Sequence, residues 1–255
     1  MDDPLVRHSI TGLVMLLSAV GVLVVRRFVR SEDLRDNNDF TGFTFAFVGL
    51  LYGVFLAFTV VVVWQHFQDA DSNATNEAAH LHEFWRDAAG LPGGEQIRQQ
   101  VRTYTASVVN HEWPTMAAGR MNDPRTDAIY LELWRRMYAV RIEPGDHVRA
   151  ALYSEGLHQL NEAGTQRRLR LLAGKAYIPS VMWVLLIAGG IGMIAFTYLI
   201  AAKHQIVQLL STVFLAGMLT YSVLIVVAVE QPFSGDVSVS PDAFRNVLQT
   251  MDTAR

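Results

Sequence analysis

Hydrophobic positions along the chain fall into four long runs separated by polar stretches, and the run at Gly42–Trp64 sets the frame. It reads GFTFAFVGLLYGVFLAFTVVVVW, and no Asp, Glu, Lys or Arg occurs between Asp39 and Asp69. About 22 apolar residues make roughly 33 Å of helix, the thickness of a bilayer's hydrocarbon core. The polar side chains Thr44, Tyr52 and Thr59 can be satisfied by backbone, a neighbouring helix or the interface. Gly42, Ala46, Gly49, Gly53 and Ala57 recur every three or four residues and form a small-residue stripe that lets another helix come close. The spacing continues through Val60, Val63, Phe67, Ala70, Ala74, Leu81, Phe84 and Ala88, and only Glu77 breaks it. No Pro or Gly interrupts 54–89, so the pattern predicts one helix from Gly42 to about Ala89, stopped by Leu91-Pro92-Gly93-Gly94. A seam carried from lipid into water predicts a bundled stem.

The other runs complete a set of four spans. Residues 8–25 hold no Asp, Glu, Lys or Arg, and Arg26, Arg27 and Arg30 follow. In a cleaved leader the basic residues precede the apolar core, so this order predicts a first span whose arginines snorkel to head groups. Ser31–Asp39 is a mixed-charge connection. Ile178–Ile200 is the third span, with Pro179 in its first turn, and Gly189, Gly190 and Gly192 form either a second close-packing site or a flexible point in that helix. The link Ala201–Gln205 is short, so the fourth span, 206–229, packs antiparallel to the third. The tail, 230–255, closes on a helix opened by Ser240-Pro241, with Phe244, Val247, Leu248 and Met251 on its apolar face.

Between the second and third spans, residues 90–176 carry helical patterns and no convincing period-two alternation. Ile97, Val101, Tyr104 and Val108 mark a helix ended by His111-Glu112-Trp113-Pro114. Pro124 opens the next, with Ala128, Leu131, Trp134 and Tyr138 as its apolar face, and Pro144-Gly145 breaks the pattern. Val148, Leu152, Glu155, Leu157 and Leu160 resume it. The fold class is therefore an all-α integral membrane protein: four transmembrane helices with a helical extramembrane region between spans 2 and 3.

Composition narrows function more by exclusion than by assignment. A net charge of −3 points to no nucleic-acid partner, and the absence of cysteine removes disulfide and thiolate chemistry. His111-Glu112 begins like HExxH, but the fifth residue is Thr115 and Pro114 interrupts the helix that motif needs. His80 and His82 are two apart and point to different helix faces, so no metal is expected. No nucleophile elbow, P-loop or dinucleotide-binding glycine pattern occurs, and Glu132, Glu143 and Glu155 read as solvated helix faces. The chain is not expected to be an enzyme or to hold a cofactor. The spans contain no buried carboxylate, lysine or arginine, which argues against an ion-coupled transporter and leaves a channel open. Pore-lining or helix-packing candidates are Gly42, Ala46, Gly49, Tyr52, Gly53, Ala57, Thr59, Val60 and Phe67, with the rings of Phe43, Phe47 and Phe55. Arg167, Arg168, Arg170 and Lys175 precede the third span and serve either to attract anions or to anchor lipid head groups. Placing both termini and the polar region inside puts Arg7, Arg245 and this cluster there, and Arg26, Arg27, Arg30, Arg35 and Lys203 outside. Six against five leaves orientation open.

Several motifs together resemble a family of bacterial membrane proteins described as bestrophin-like. They are Gly49-Leu-Leu-Tyr52-Gly-Val-Phe-Leu-Ala57-Phe followed by Val60–Gln65, and His111-Glu-Trp113-Pro114. Leu160-Asn161-Glu162 with Arg167-Arg168-Leu-Arg170-Leu, Pro179 with Trp183, and Pro232-Phe233-Ser-Gly235 with Ser240-Pro241 complete the set. The resemblance implies four spans in the cell (inner) membrane and a cytoplasmic helical region. It also implies kinship with bestrophins, pentameric anion channels whose second spans line an axial pore. By that analogy the partners are the bilayer, further copies of the same chain and small anions such as chloride. The acidic calcium cluster of animal bestrophins has no counterpart here. The alternative is a non-conducting membrane scaffold whose helical region binds a partner or senses lipid.

Overall fold

The computed structural model describes residues 4–29, 31–175 and 178–253, so the expectations placed on Arg30 and on the end of the helical region at Ala176 lie outside it. The described residues form α1 (Pro4–Phe28), α2 (Ser31–Asp36), α3 (Asn38–Ala88), α4 (Gly94–Ser107), a π turn (Val108–Glu112), α5 (Trp113–Ala117), α6 (Pro124–Ala139), α7 (His147–Ala173), α8 (Ser180–Leu199), α9 (Gln205–Glu230) and α10 (Asp242–Thr253). No strand occurs among them. Among the described residues, four helices are long and apolar enough to cross a membrane: α1, α3, α8 and α9. The fold is all-α, with two compact units, Met1–Gln65 with Tyr177–Glu230 and His66–Ala176 with Gln231–Arg255.

In the first unit, α1 packs along α9 and α8, and α8 along α9. Small residues set the approach. An added Cβ on Gly217 would meet Met15, and one on Gly21 would lie 2.5 Å from the Tyr198 hydroxyl. The Tyr52 ring of α3 lies on Gly189 and Gly190 of α8, where a Cβ would come within 2.6 and 3.1 Å of it. Its hydroxyl donates to the Leu186 carbonyl at 2.8 Å, which satisfies a polar group in a buried place.

Three expectations are corrected in this unit. The connection after α1 is helical, and α3 starts at Asn38, whose side chain bonds both the N–H and the carbonyl of Ala201 and so fixes its first turn. Arg26 does not simply reach outward: its Nε donates to Gln208 Oε1 at 2.8 Å and its Nη2 to the Ala202 carbonyl. Helix α9 runs one residue past the expected end at Val229, to Glu230, which is buried and accepts from the Ile178 N–H and the Trp183 indole.

In the second unit, residues 66–88 of α3 lie with α4, α6, α7 and α10 around a core that includes Ala70, Ala74, Leu81, Phe84, Tyr104, Leu133, Leu160 and Phe244. Helix α3 shows no interruption at Gln65. Its C-terminal end is followed by Gly93, at φ 71°, a backbone that L side chains resist. The tail folds back: Trp113 donates to the Val239 carbonyl at 3.1 Å, and its ring meets Phe233 and Phe244 edge-on.

Here too the apolar faces differ from those expected. Helix α6 buries Thr126, Leu133 and Met137, whereas Ala128, Leu131 and Tyr138 are exposed. Both sides of α6 carry apolar residues, and packing against α4 selects one. Helix α7 buries Gly156, Leu160, Ala163, Arg167 and Arg170, and Val148 is exposed. His111-Glu112-Trp113-Pro114 does not end its helix. The backbone widens into a π turn, with the Trp113 N–H reaching the Val108 carbonyl, and continues as α5. The wider turn makes room for the Pro114 ring, whose nitrogen has no proton for a helical bond.

Candidate conduction face and buried ion-pair network

Helix α3 has two sides of different character. In its apolar part, Tyr52, Thr59 and Val63 are buried within the chain, and Gly49 faces Met193. Thr59 donates to the Phe55 carbonyl at 2.9 Å. On the opposite side Phe43, Phe47, Leu50, Val54, Phe58 and Val61 are all exposed. These six recur at three- and four-residue steps and form one apolar strip. Ala46, Gly53 and Ala57 flank it and are exposed too, and nothing lies within 4 Å of a Cβ added at Gly42 or Gly53.

The sequence candidates therefore separate. Tyr52 and Thr59 are packing residues, Gly49 sits at the α8 contact, Val60 is half-buried, and Phe67 packs against the core of the second unit. None of these five lies on the exposed strip. Phe55 is half-buried, while Phe43 and Phe47 lie on the strip itself. A single small-residue stripe holding all the candidates together is not what forms. The residues that α3 buries are Tyr52, Thr59 and Val63 in the first unit and Ala70, Ala74, Glu77, Leu81, Phe84 and Ala88 in the second, and Gly53 and Ala57 are not among them. Where α3 leaves its apolar run, Gln68, Asp69, Asp71 and Ser72 are exposed.

The second concentration of chemistry lies inside the other unit. Arg170 has no exposed side-chain surface; its Nε meets Glu77 Oε2 at 2.7 Å and its Nη2 meets Glu112 Oε2 at 2.7 Å. Arg167 joins Glu112 at 2.5 Å and Asp127 at 2.6 Å. Tyr104 donates its hydroxyl to Glu77 at 2.6 Å, and Trp113 and Phe244 lie within 5.4 and 5.5 Å of the Arg170 guanidinium carbon. Glu77 comes from α3, Glu112 from the π turn, Asp127 from α6 and both arginines from α7. Burial works against the charge of Arg170, but Glu77 and Glu112 outweigh it and push its pKa above the usual guanidinium value. Burial, reinforced by Glu77, drives the Tyr104 hydroxyl well up, so it stays a donor at any physiological pH. The cluster holds charge and contains no nucleophile. Its chemistry is that of a lock between four segments.

This overturns the role expected of two of the basic residues before the third span. Arg167 and Arg170 are buried in ion pairs, unavailable to anions or head groups, whereas Arg168 and Lys175 are exposed. The signal was present in the spacing, because Gly156, Leu160, Ala163, Arg167 and Arg170 follow each other at steps of four and three on the buried face. Glu77, read as a break in the seam, is the seam's charged member. His80 pairs with Gln159 at 2.8 Å, and His82 lies against Trp85.

A family model for the bestrophin-like domain matches residues 12–244. The chain belongs to the bestrophin-like family. Among solved structures, a bacterial bestrophin homologue from Klebsiella pneumoniae matches this bestrophin-like chain with a TM-score of 0.69 at 14% identity, covering 94% of this chain and 98% of that one. Another, described as a membrane protein, matches with a TM-score of 0.70 at 14% identity, covering 95% and 97%. At such identity the likeness is one of fold. No curated protein matches the sequence.

Proposed function

We propose that this bestrophin-like protein assembles with copies of itself into an ion channel of the inner membrane, with α3 around the axis. The observation that carries the reading is the exposed strip Phe43–Val61 on the side of α3 that the chain itself does not cover. Large apolar side chains on such a strip form a constriction that gates by dewetting, and Gly53 and Ala57 beside it permit close helix approach. By family resemblance the assembly is a pentamer, the permeant ions are small anions such as chloride, and the helical region is cytoplasmic. A second reading of the selectivity rests on Asp69 and Asp71, exposed just past the strip, since carboxylate rings favour cations.

Purified protein in planar bilayers under a potassium chloride gradient tests both. Current with a reversal potential on the chloride side supports the anion reading, and on the potassium side the cation reading. No current across a range of salt and pH leaves the non-conducting scaffold. Gly53→Leu adds bulk where the single chain has open space, so it is expected to lower the subunit number in detergent. An unchanged oligomer size refutes packing of copies along that side.

A further inference from the structure

We infer that a groove between α3, α8 and α9 is a binding site for a membrane glycerophospholipid, with one acyl chain in the groove and the phosphate at its charged mouth. The groove has a volume of about 390 Å³, within the range of small-molecule sites. Phe45, Ile200, Val207, Phe214 and Leu215 give it an apolar lining. From Val207 to Leu215 the α9 wall runs about 12 Å along the helix, enough for a length of acyl chain. Val207 and Phe214 are 51% and 70% exposed on a helix long and apolar enough to cross the bilayer, so the groove opens towards lipid.

One end of this groove is cationic. Arg26 donates to the carbonyl of Ala202 at 3.3 Å and to the amide oxygen of Gln208, both of which line the groove. Arg35 donates to the carbonyl of Lys203 at 3.1 Å, on the same link, and the Lys203 side chain is exposed. Two further polar side chains of the wall are internally paired: Gln208 donates to the Thr197 carbonyl at 3.2 Å, and the Thr212 hydroxyl to that of Thr197 at 3.1 Å. The wall therefore offers apolar surface in depth and positive charge at the mouth, the order of parts in a phospholipid. Guanidinium groups suit phosphate because they pair with it through two parallel hydrogen bonds. This inference rests on the span assignment and not on conduction.

The test is lipid retention by the full chain in detergent, read by native mass spectrometry during titration with phosphatidylglycerol. The wild-type protein is expected to bind one lipid per chain, and diacylglycerol, which lacks the phosphate, at least tenfold more weakly. Ser211→Trp fills the groove, and the pair Arg35→Glu with Lys203→Glu reverses charge at its mouth. Each is expected to weaken phosphatidylglycerol at least tenfold, whereas Ile191→Trp, on an exposed position outside the groove, leaves it unchanged. Equal binding by diacylglycerol, or wild-type binding by either groove variant, overturns the site. So does a Ser211→Trp protein of lower subunit number that keeps its lipid, since a second copy then fills the groove. If Ser211→Trp fails to fold, the charge-reversed pair and the diacylglycerol comparison decide alone.

Discussion

Replacing Arg170 with Met probes the buried network where it is most exposed to failure. The side chain makes contacts of 2.7, 3.2 and 2.7 Å to Glu77 and Glu112, and all three residues have no exposed surface. Methionine fills similar space but, among the described residues, leaves Glu77 with only the Tyr104 hydroxyl and Glu112 with only Arg167. Removing one partner of a buried ion pair typically costs about 3–5 kcal/mol, chiefly because the abandoned charge stays desolvated. For a unit of this size that is a fall of roughly 10–15 °C in melting temperature. Three of the five tryptophans, Trp85, Trp113 and Trp134, lie in this unit, so intrinsic fluorescence in detergent is weighted towards its unfolding. Adding Glu77→Gln in the Arg170→Met background removes one stranded charge and is expected to recover at least about 1 kcal/mol, against a loss when made alone. A melting temperature within about 3 °C of wild type for Arg170→Met, well short of the expected fall, or additive effects in the double variant, refutes the pairing.

Other consequences follow from single positions. Gly189→Ala places a Cβ 2.6 Å from the Tyr52 ring and is expected to cost about 1–3 kcal/mol, whereas Gly192→Ala meets nothing within 4 Å and gains up to about 1 kcal/mol of helix propensity; thermal melts in detergent rank the two. Asp123 caps α6 by accepting from the Thr126 N–H at 2.9 Å, so Asp123→Ala is expected to cost about 1 kcal/mol and Asp123→Asn, which keeps the acceptor and loses the charge, less. That same N–H holds the Asp123 carboxyl below its usual value, so its charge stabilises the fold fully above about pH 4 and the benefit is lost as pH falls through the lowered value. A gap between wild type and Asp123→Ala that stays constant down to about pH 2 contradicts this.

Sequence pattern was informative where water and apolar core compete. Helix α10 buries Phe244 and Met251 as its spacing predicts, because its other side meets solvent. It was less informative in α6, where Leu131 and Tyr138 compete with Leu133 and Met137 and nothing local chooses between them. Inside the apolar part of α3 the contrast vanishes, since lipid and protein are equally apolar, and spacing alone could not tell Tyr52, which packs, from Phe43, which is exposed. The π turn is not legible in the sequence because Pro114 is ordinarily a stop signal, and a widened backbone carries the helix past it. For the arginines of α7 spacing and type disagree: their spacing places them inside, and their charge argues for outside.

The stem's own composition supplies a reason for burying those charges. Along Ala70, Ala74 and Ala78 the inward face of α3 is smooth, so these contacts fix the register of the neighbouring helices only weakly, and the bulkier Leu81 and Phe84 add to it further along. A slip of one turn is about 5.4 Å, which would carry Glu77 away from both Arg170 and Tyr104 and leave a desolvated carboxylate without a partner. Alanine contacts change little across such a slip, whereas the charge penalty changes by several kcal/mol, so the charges decide the register that the alanines leave open. Arg170→Met should accordingly raise amide exchange along residues 66–88 at temperatures where the helix content by circular dichroism is still that of the wild type. Protection lost only together with helix content would mean that the alanine seam holds register unaided.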